Sequence, residues 1–245
     1  MTRTIVGISL KMYFGHARAT EWFAQVASRV ATAPAVANGA VEVFVTPTFL
    51  QVPAAVAAFA GSPVRVGGQD VAAQAEGAYT GEVSASELAE VGAELAEIGH
   101  AERRRLFAET DETVAHKVAR SLEAGLEPLL CIGETERQPP EEAARVAVAQ
   151  LEASLAGAPE GSVIVAYEPV WAIGAPEPAP DEHVRVVAGA LREAVASRPG
   201  SAVIYGGAAK PGLLTRLGDA VDGVFLGRFA HDPDALMQVI DEAAA

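Results

Sequence analysis

Eight short apolar runs rich in β-branched residues recur along the whole chain, and the stretches between them carry helical spacing. The runs fall at residues 4–8, 41–45, 64–67, 95–98, 128–132, 163–167, 202–205 and 223–227. A continuously apolar run bounded by turn residues reads as a strand buried on both faces. Helices are expected at 17–30, 111–123, 140–155, 181–196 and 232–244, and N-cap signals stand at Ser84 and Asp181 ahead of acidic first turns. Strands alternating with helices through short connections imply an α/β chain with a parallel sheet. An open, doubly wound sheet satisfies part of that pattern, but eight repeats in 245 residues are what a closed (β/α)8 barrel requires. No linker or composition break divides the chain, so residues 1–245 are expected to form a single domain.

In such barrels chemistry gathers where each strand meets the following loop. The residues just past the runs are Ser9 and Lys11, Gly99 and His100, Gly133 and Glu134, Glu168, Gly206 and Gly207, and Gly227 and Arg228. Within "AYEPVWAIGA", Glu168 ends an apolar strand and meets Pro169 at once, an unusual place for a carboxylate unless something uses it. Glu168 as a general base, His100 as a donor to a carbonyl oxygen and Lys11 as a fixed positive charge make a proton-transfer set. Glycines at 206, 207 and 227 would let backbone N–H groups approach a phosphate. The net charge of −14 disfavours nucleic acid as a partner but leaves a small anionic substrate open. No apolar run approaches ~18 residues, so no membrane span is expected, and the single cysteine, Cys131, suits a reducing cytoplasm. No cluster of His and carboxylates has metal-ligand spacing, and neither metal nor other cofactor is expected.

The segments "SLKMYFG", "GAYTGEVS", "IGHAERRRLF", "LLCIGET", "AYEPVWAIG", "IYGG" and "DGVFLG" resemble, in order and spacing, those of the triosephosphate isomerase family over nearly the full chain. The resemblance implies Lys11 as the electrostatic lysine, a neutral His100 as the electrophile and Glu168 as the base. It also implies Glu102 as a supporting group, residues 169–174 as the start of a closing lid, and Gly174, Gly207 and Gly227 as sources of phosphate-binding amides. Thr80 matches a loop tip that, in the family, reaches the partner subunit's site, which implies a homodimer. The implied activity is triose phosphate isomerisation through an enediolate.

Several positions depart from the family pattern. Ser9 stands for the usual Asn, Leu10 for a Trp and Ala101 for the serine after the histidine; "APE" at 175–177 replaces "TGK", and Arg228 replaces a glycine. Smaller residues beside Lys11 and an altered lid hinge at Pro176 and Glu177 open a second reading, a ketose phosphate one carbon longer, such as a tetrulose phosphate. A non-catalytic sugar-phosphate-binding barrel is the third. Of the other candidates, His16, His116, His183 and His231 are expected to be solvated. Cys131 is expected to be a packed thiol, Arg103 to anchor the His100 loop, and Arg104 and Arg105 only to solvate a helix start.

Overall fold

Eight parallel strands pair in sequence order, and the last returns to the first to close a barrel. The computed structural model describes residues 3–175 and 177–245. Its strands are β1 (Thr4–Ser9), β2 (Val41–Thr46), β3 (Arg65–Gly68), β4 (Leu95–Ile98), β5 (Glu127–Ile132), β6 (Ile164–Tyr167), β7 (Ala202–Tyr205) and β8 (Gly223–Leu226). The helices are α1 (His16–Val30), α2 (Pro34–Ala37), α3 (Val52–Ala58), α4 (Ala85–Glu90), α5 (Ala101–Phe107), α6 (Asp111–Glu123), α7 (Pro140–Ser154), α8 (Asp181–Val195), α9 (Leu213–Leu217) and α10 (Pro233–Ala243).

The continuous apolar runs are explained by two separate cores. Inside the barrel pack Ile5, Phe44, Leu95, Leu129, Cys131, Ile164, Ala166, Ala202, Ile204 and Phe225, and the alternate apolar strand residues pack outward against the helices. The Phe44 and Phe225 rings, 5.9 Å apart, fill the middle of the barrel. Gly7 makes room for them: a Cβ there would lie 2.1 Å from the Phe44 ring. Because successive strand residues face opposite sides, the inward set continues at the C-terminal rim as Ser9, Thr46, Glu97, Cys131, Glu168, Gly206 and Gly227. That alternation assembles the site.

Helix α1 covers the barrel with Ala19, Trp22, Phe23, Val26 and Val30, the spacing of one helical face. Ser84 caps α4 by accepting from the Glu87 N–H, as expected. Asp181 does not cap α8: Pro180 is the N-cap, and Asp181, in the first turn, pairs with Arg216 at 3.1 Å. Strand β3 starts and ends one residue later than the run at 64–67, and Arg65 opens it. From β3 its guanidinium binds Glu42 on β2 and Glu127 on β5 at 2.6 and 2.7 Å, tying the strands together at the N-terminal end of the barrel.

Candidate active site

At the C-terminal rim a cavity of about 470 Å³ is lined by Ser9, Lys11, Glu102, Glu168, Gly174, Gly206, Gly207, Gly227 and Arg228. Every expected contact residue is thus at one mouth, with His100 against Lys11 and Glu168. Thr80 is not there; it is exposed on the loop between β3 and α4. Leu10 corrects the expectation of extra room, since it is fully buried in the outer core and leaves only Ser9 facing the cavity. Pro176 lies outside the described residues.

Lys11 follows β1 in left-handed backbone, φ 46°, which a side chain other than glycine's adopts at some cost. That turn carries its ammonium to 3.0 Å from His100 Nε2 and 3.1 Å from Glu102 Oε1. Glu168 Oε2 lies 3.5 Å from His100 Nε2 and, fully buried, has no hydrogen-bond partner. Buried polar atoms are nearly always paired, so this oxygen points to a ligand the site receives. Gly206 and Gly133 hold the acid in place. A Cβ on Gly206 would lie 2.5 Å from Glu168 Cγ, and one on Gly133 would meet the Glu168 carbonyl oxygen at 1.9 Å.

Electrostatics divides the roles. Burial, with the Glu97 charge adding to it and Lys11 opposing, raises Glu168 to about 8. Burial and the Lys11 charge lower His100 to about 4. The Glu102 N–H donates to Nδ1, so the ring proton is assigned to Nε2, facing the cavity, and the Lys11 ammonium at 3.0 Å approaches it as a neighbouring charge and not as a hydrogen-bond partner. Burial works against the Lys11 charge, but Glu168, Glu102 and Glu97 outweigh it and hold the ammonium above its ordinary value. Burial is the largest single effect on Glu102 and pushes it up, but Lys11, His100 and Arg105 together outweigh it and hold the carboxyl below its ordinary value. The imidazole is therefore expected to stay neutral, with its ¹⁵N shifts unchanged between about pH 5.5 and 8. A titration near 6.5 in that range would overturn this assignment.

The turn bearing His100 is anchored by a buried ion cluster. Lys117 on α6 binds Asp70 at 2.6 Å and Glu109 at 2.5 Å, and Arg103 on α5 binds both acids as well. Arg103 is thus the expected anchor. Arg104 also anchors rather than solvates: it donates to the Gly99 carbonyl at 2.9 Å and pairs with Asp111 at 2.5 Å. Lys117→Met should leave two buried acids sharing one guanidinium, at a cost of about 3 kcal/mol. A fall in the thermal midpoint of roughly 6–12 °C is expected in a melting experiment.

Sequence reasoning missed Glu97 and Tyr205, and it singled out Glu134 just past the fifth run without giving it a role. Glu134 accepts from Tyr167 Oη, Trp171 Nε1 at 2.7 Å and His183 Nε2 at 3.0 Å, and its carbonyl accepts from the Val170 N–H. It therefore pins the segment that begins after Glu168. His183 is buried in this contact, which corrects its expected solvation. Tyr205 Oη pins the far end by accepting from the Ala179 N–H at 3.0 Å. Glu177, between them, pairs with Lys210 at 3.5 Å. His231 is half-buried against Phe14, ring centroids 4.5 Å apart, while His16 and His116 are exposed. Cys131 is buried within the barrel, where burial pushes its thiol well up; it is packed as expected. The Arg228 guanidinium lies over the Tyr13 ring at 5.9 Å, on the rim of the cavity.

A buried acid, a neutral imidazole and an ammonium converging beside glycine backbone at the mouth of a parallel barrel define an aldose–ketose isomerase of the barrel type. The triosephosphate isomerase family model matches residues 4–243, and the chain belongs to that family. It is 46% identical to L-erythrulose-1-phosphate isomerase of Pectobacterium atrosepticum, over 97% of this chain and 95% of that protein. It is 40% identical to triosephosphate isomerase of Thermus thermophilus over 86% of each chain. To triosephosphate isomerase of a Synechococcus strain it is 34% identical, over 96% of this chain and 92% of the relative.

Proposed function

We propose that the chain isomerises an erythrulose phosphate by proton transfer between adjacent carbons. The observation that carries this is the 46% identity, nearly end to end, with a relative named for erythrulose 1-phosphate, against 31–43% over 74–98% of this chain with triosephosphate isomerases. The amides near Gly174, Gly206, Gly207 and Gly227, with Arg228 at the rim, hold the phosphate. The ionised Glu168 takes the proton from the hydroxyl-bearing carbon next to the carbonyl. The released electron pair forms the carbon–carbon double bond of an enediolate, and the carbonyl π pair moves onto its oxygen. The Nε2–H of His100 and the Lys11 ammonium stabilise that oxygen. Glu168 returns the proton to the former carbonyl carbon, and His100 carries a proton between the two oxygens, so the carbonyl moves one carbon along. A triose ketose becomes an aldose, whereas erythrulose 1-phosphate becomes a second ketose phosphate.

Triose phosphate isomerisation by the same steps is the second reading, favoured by the relatives that bear that name. Both are tested by measuring kcat/KM for erythrulose 1-phosphate and glyceraldehyde 3-phosphate on one preparation. The erythrulose value should be the larger. A triose value near the diffusional ceiling of ~10⁸ M⁻¹s⁻¹, without tetrulose turnover, would overturn the assignment. Turnover of neither sugar would favour the non-catalytic barrel. The family assignment also favours a homodimer, with Thr80 reaching a partner subunit. Exposed Met12 and Leu50, 90% and 87% accessible, support it, and sedimentation at the monomer mass would refute it.

A further inference from the structure

One ionisable group at the barrel mouth is left over by the proton-transfer set. Glu97 lies on β4, two residues past the inward Leu95, and is 3% exposed. A leucine-like side chain would continue the barrel core there, whereas a buried carboxyl costs free energy unless it is bonded and used. No ion pair within 4 Å involves Glu97 among the described residues; its partners are two hydroxyls. Thr46 Oγ1 donates to Oε2 at 2.6 Å, and Ser9 Oγ donates to Oε1 at 3.4 Å. Ser9 is also the member of this trio that lines the cavity.

A carboxylate only accepts, so it draws the Ser9 proton toward itself and leaves the serine lone pairs free. Resting on the isomerase reading, we infer that Glu97 is a positioning residue for substrate preference. It presents the Ser9 oxygen as an acceptor to the substrate's terminal hydroxyl, and so favours a four-carbon ketose phosphate over a three-carbon one. With the phosphate at the glycines, the end of the substrate beyond the reacting carbons is the part left for Ser9. A triose phosphate has no hydroxyl to spare there, because its remaining oxygens sit on the reacting carbons. Preference through a paired hydroxyl is stronger than preference through added volume alone.

The charged and titratable groups around Glu97 are Lys11 beyond β1, Glu102 on α5, Glu168 after β6 and the Cys131 thiol on β5. Burial raises Glu97 to about 7, against the pull of its hydroxyl partners and Lys11. Below that value the protonated acid can donate to Ser9, which then turns its own proton toward the cavity. The acceptor is lost as pH falls.

The test is kcat and KM for erythrulose 1-phosphate and glyceraldehyde 3-phosphate, from about pH 5.5 to 9, in wild type, Glu97→Gln and Ser9→Ala. Taking the ratio of the two sugars cancels most of the titration of the phosphate itself. The wild-type preference for erythrulose phosphate should fall as pH drops through about 7. Glu97→Gln should lower that preference roughly tenfold, mainly through KM, and flatten its pH dependence. Ser9→Ala leaves Glu97 paired with Thr46 and should show the same loss, which keeps the test alive should Glu97→Gln fail to fold. A wild type inactive on both sugars, or preferring triose phosphate, overturns the substrate reading and this inference with it. A wild type that prefers erythrulose phosphate, with both variants keeping that preference or losing both sugars equally, overturns the role of Glu97 alone.

Discussion

Glu168→Gln is expected to lower kcat by about a thousandfold or more with either sugar phosphate. The amide keeps the shape that fits between Gly133 and Gly206, so the loss would isolate the missing basic oxygen. In wild type, kcat/KM should rise with pH as the carboxyl ionises, toward a plateau above about 8. Stability should move the other way. The folded carboxyl keeps its proton up to a higher pH than the unfolded one, so as pH rises from the ordinary carboxylate range to about 8 the unfolded state is favoured. Neutral glutamine removes that penalty, and the variant should melt at a higher temperature than wild type near pH 8. A variant retaining more than about a tenth of wild-type turnover would end the assignment of Glu168 as the base.

Lys11→Met should reduce kcat/KM at least a hundredfold and weaken a phosphorylated inhibitor, with little change in melting temperature. The ammonium is the positive group touching both His100 and Glu102, so its charge acts on substrate and enediolate alike. Its loss also frees the φ 46° turn from holding a charge in place, but Gln69 still donates to the Lys11 carbonyl at 3.0 Å and keeps the backbone there. Inhibitor affinity that survives in a destabilised protein would mean that Lys11 serves only to pair Glu102.

The barrel was legible because strands buried on both faces write their boundaries as apolar runs: the stretches at 95–98 and 202–205 are strands β4 and β7 to the residue. Looking just past each run found Lys11, His100 and Glu168. The same rule hid Glu97, which stands one residue inside the end of its strand, where only alternation from Leu95 marks it as facing the mouth. His183 carried a signal that was passed over. It shares the spacing of Val184, Val187, Ala188, Leu191 and Val195 on the buried face of α8. Lys117 and its acids could not be read locally, since Asp70 lies 47 residues away and only closure of the barrel brings them together.

Three carboxyls, Glu97, Glu102 and Glu168, surround the Lys11 ammonium, while Lys210 and Arg228 also line the cavity. Fully ionised, the three acids and Lys11 carry two net negative charges, and the proposed ligand is itself a phosphate dianion. Arg228 and Lys210 supply attraction, and the inner acids let the protein become more positive as the ligand arrives. Two of the three acids already hold protons up to about 7 and 8, and a nearby phosphate raises them further. Capture of a non-reacting phosphorylated inhibitor is thus coupled to proton uptake from solvent, whereas turnover draws on the ionised acids. Calorimetry of a phosphorylated inhibitor near pH 8 should give heats that depend on the ionisation enthalpy of the buffer, with affinity weakening as pH rises further. The excess of acids makes the resting mouth a proton reservoir that the arriving anion fills.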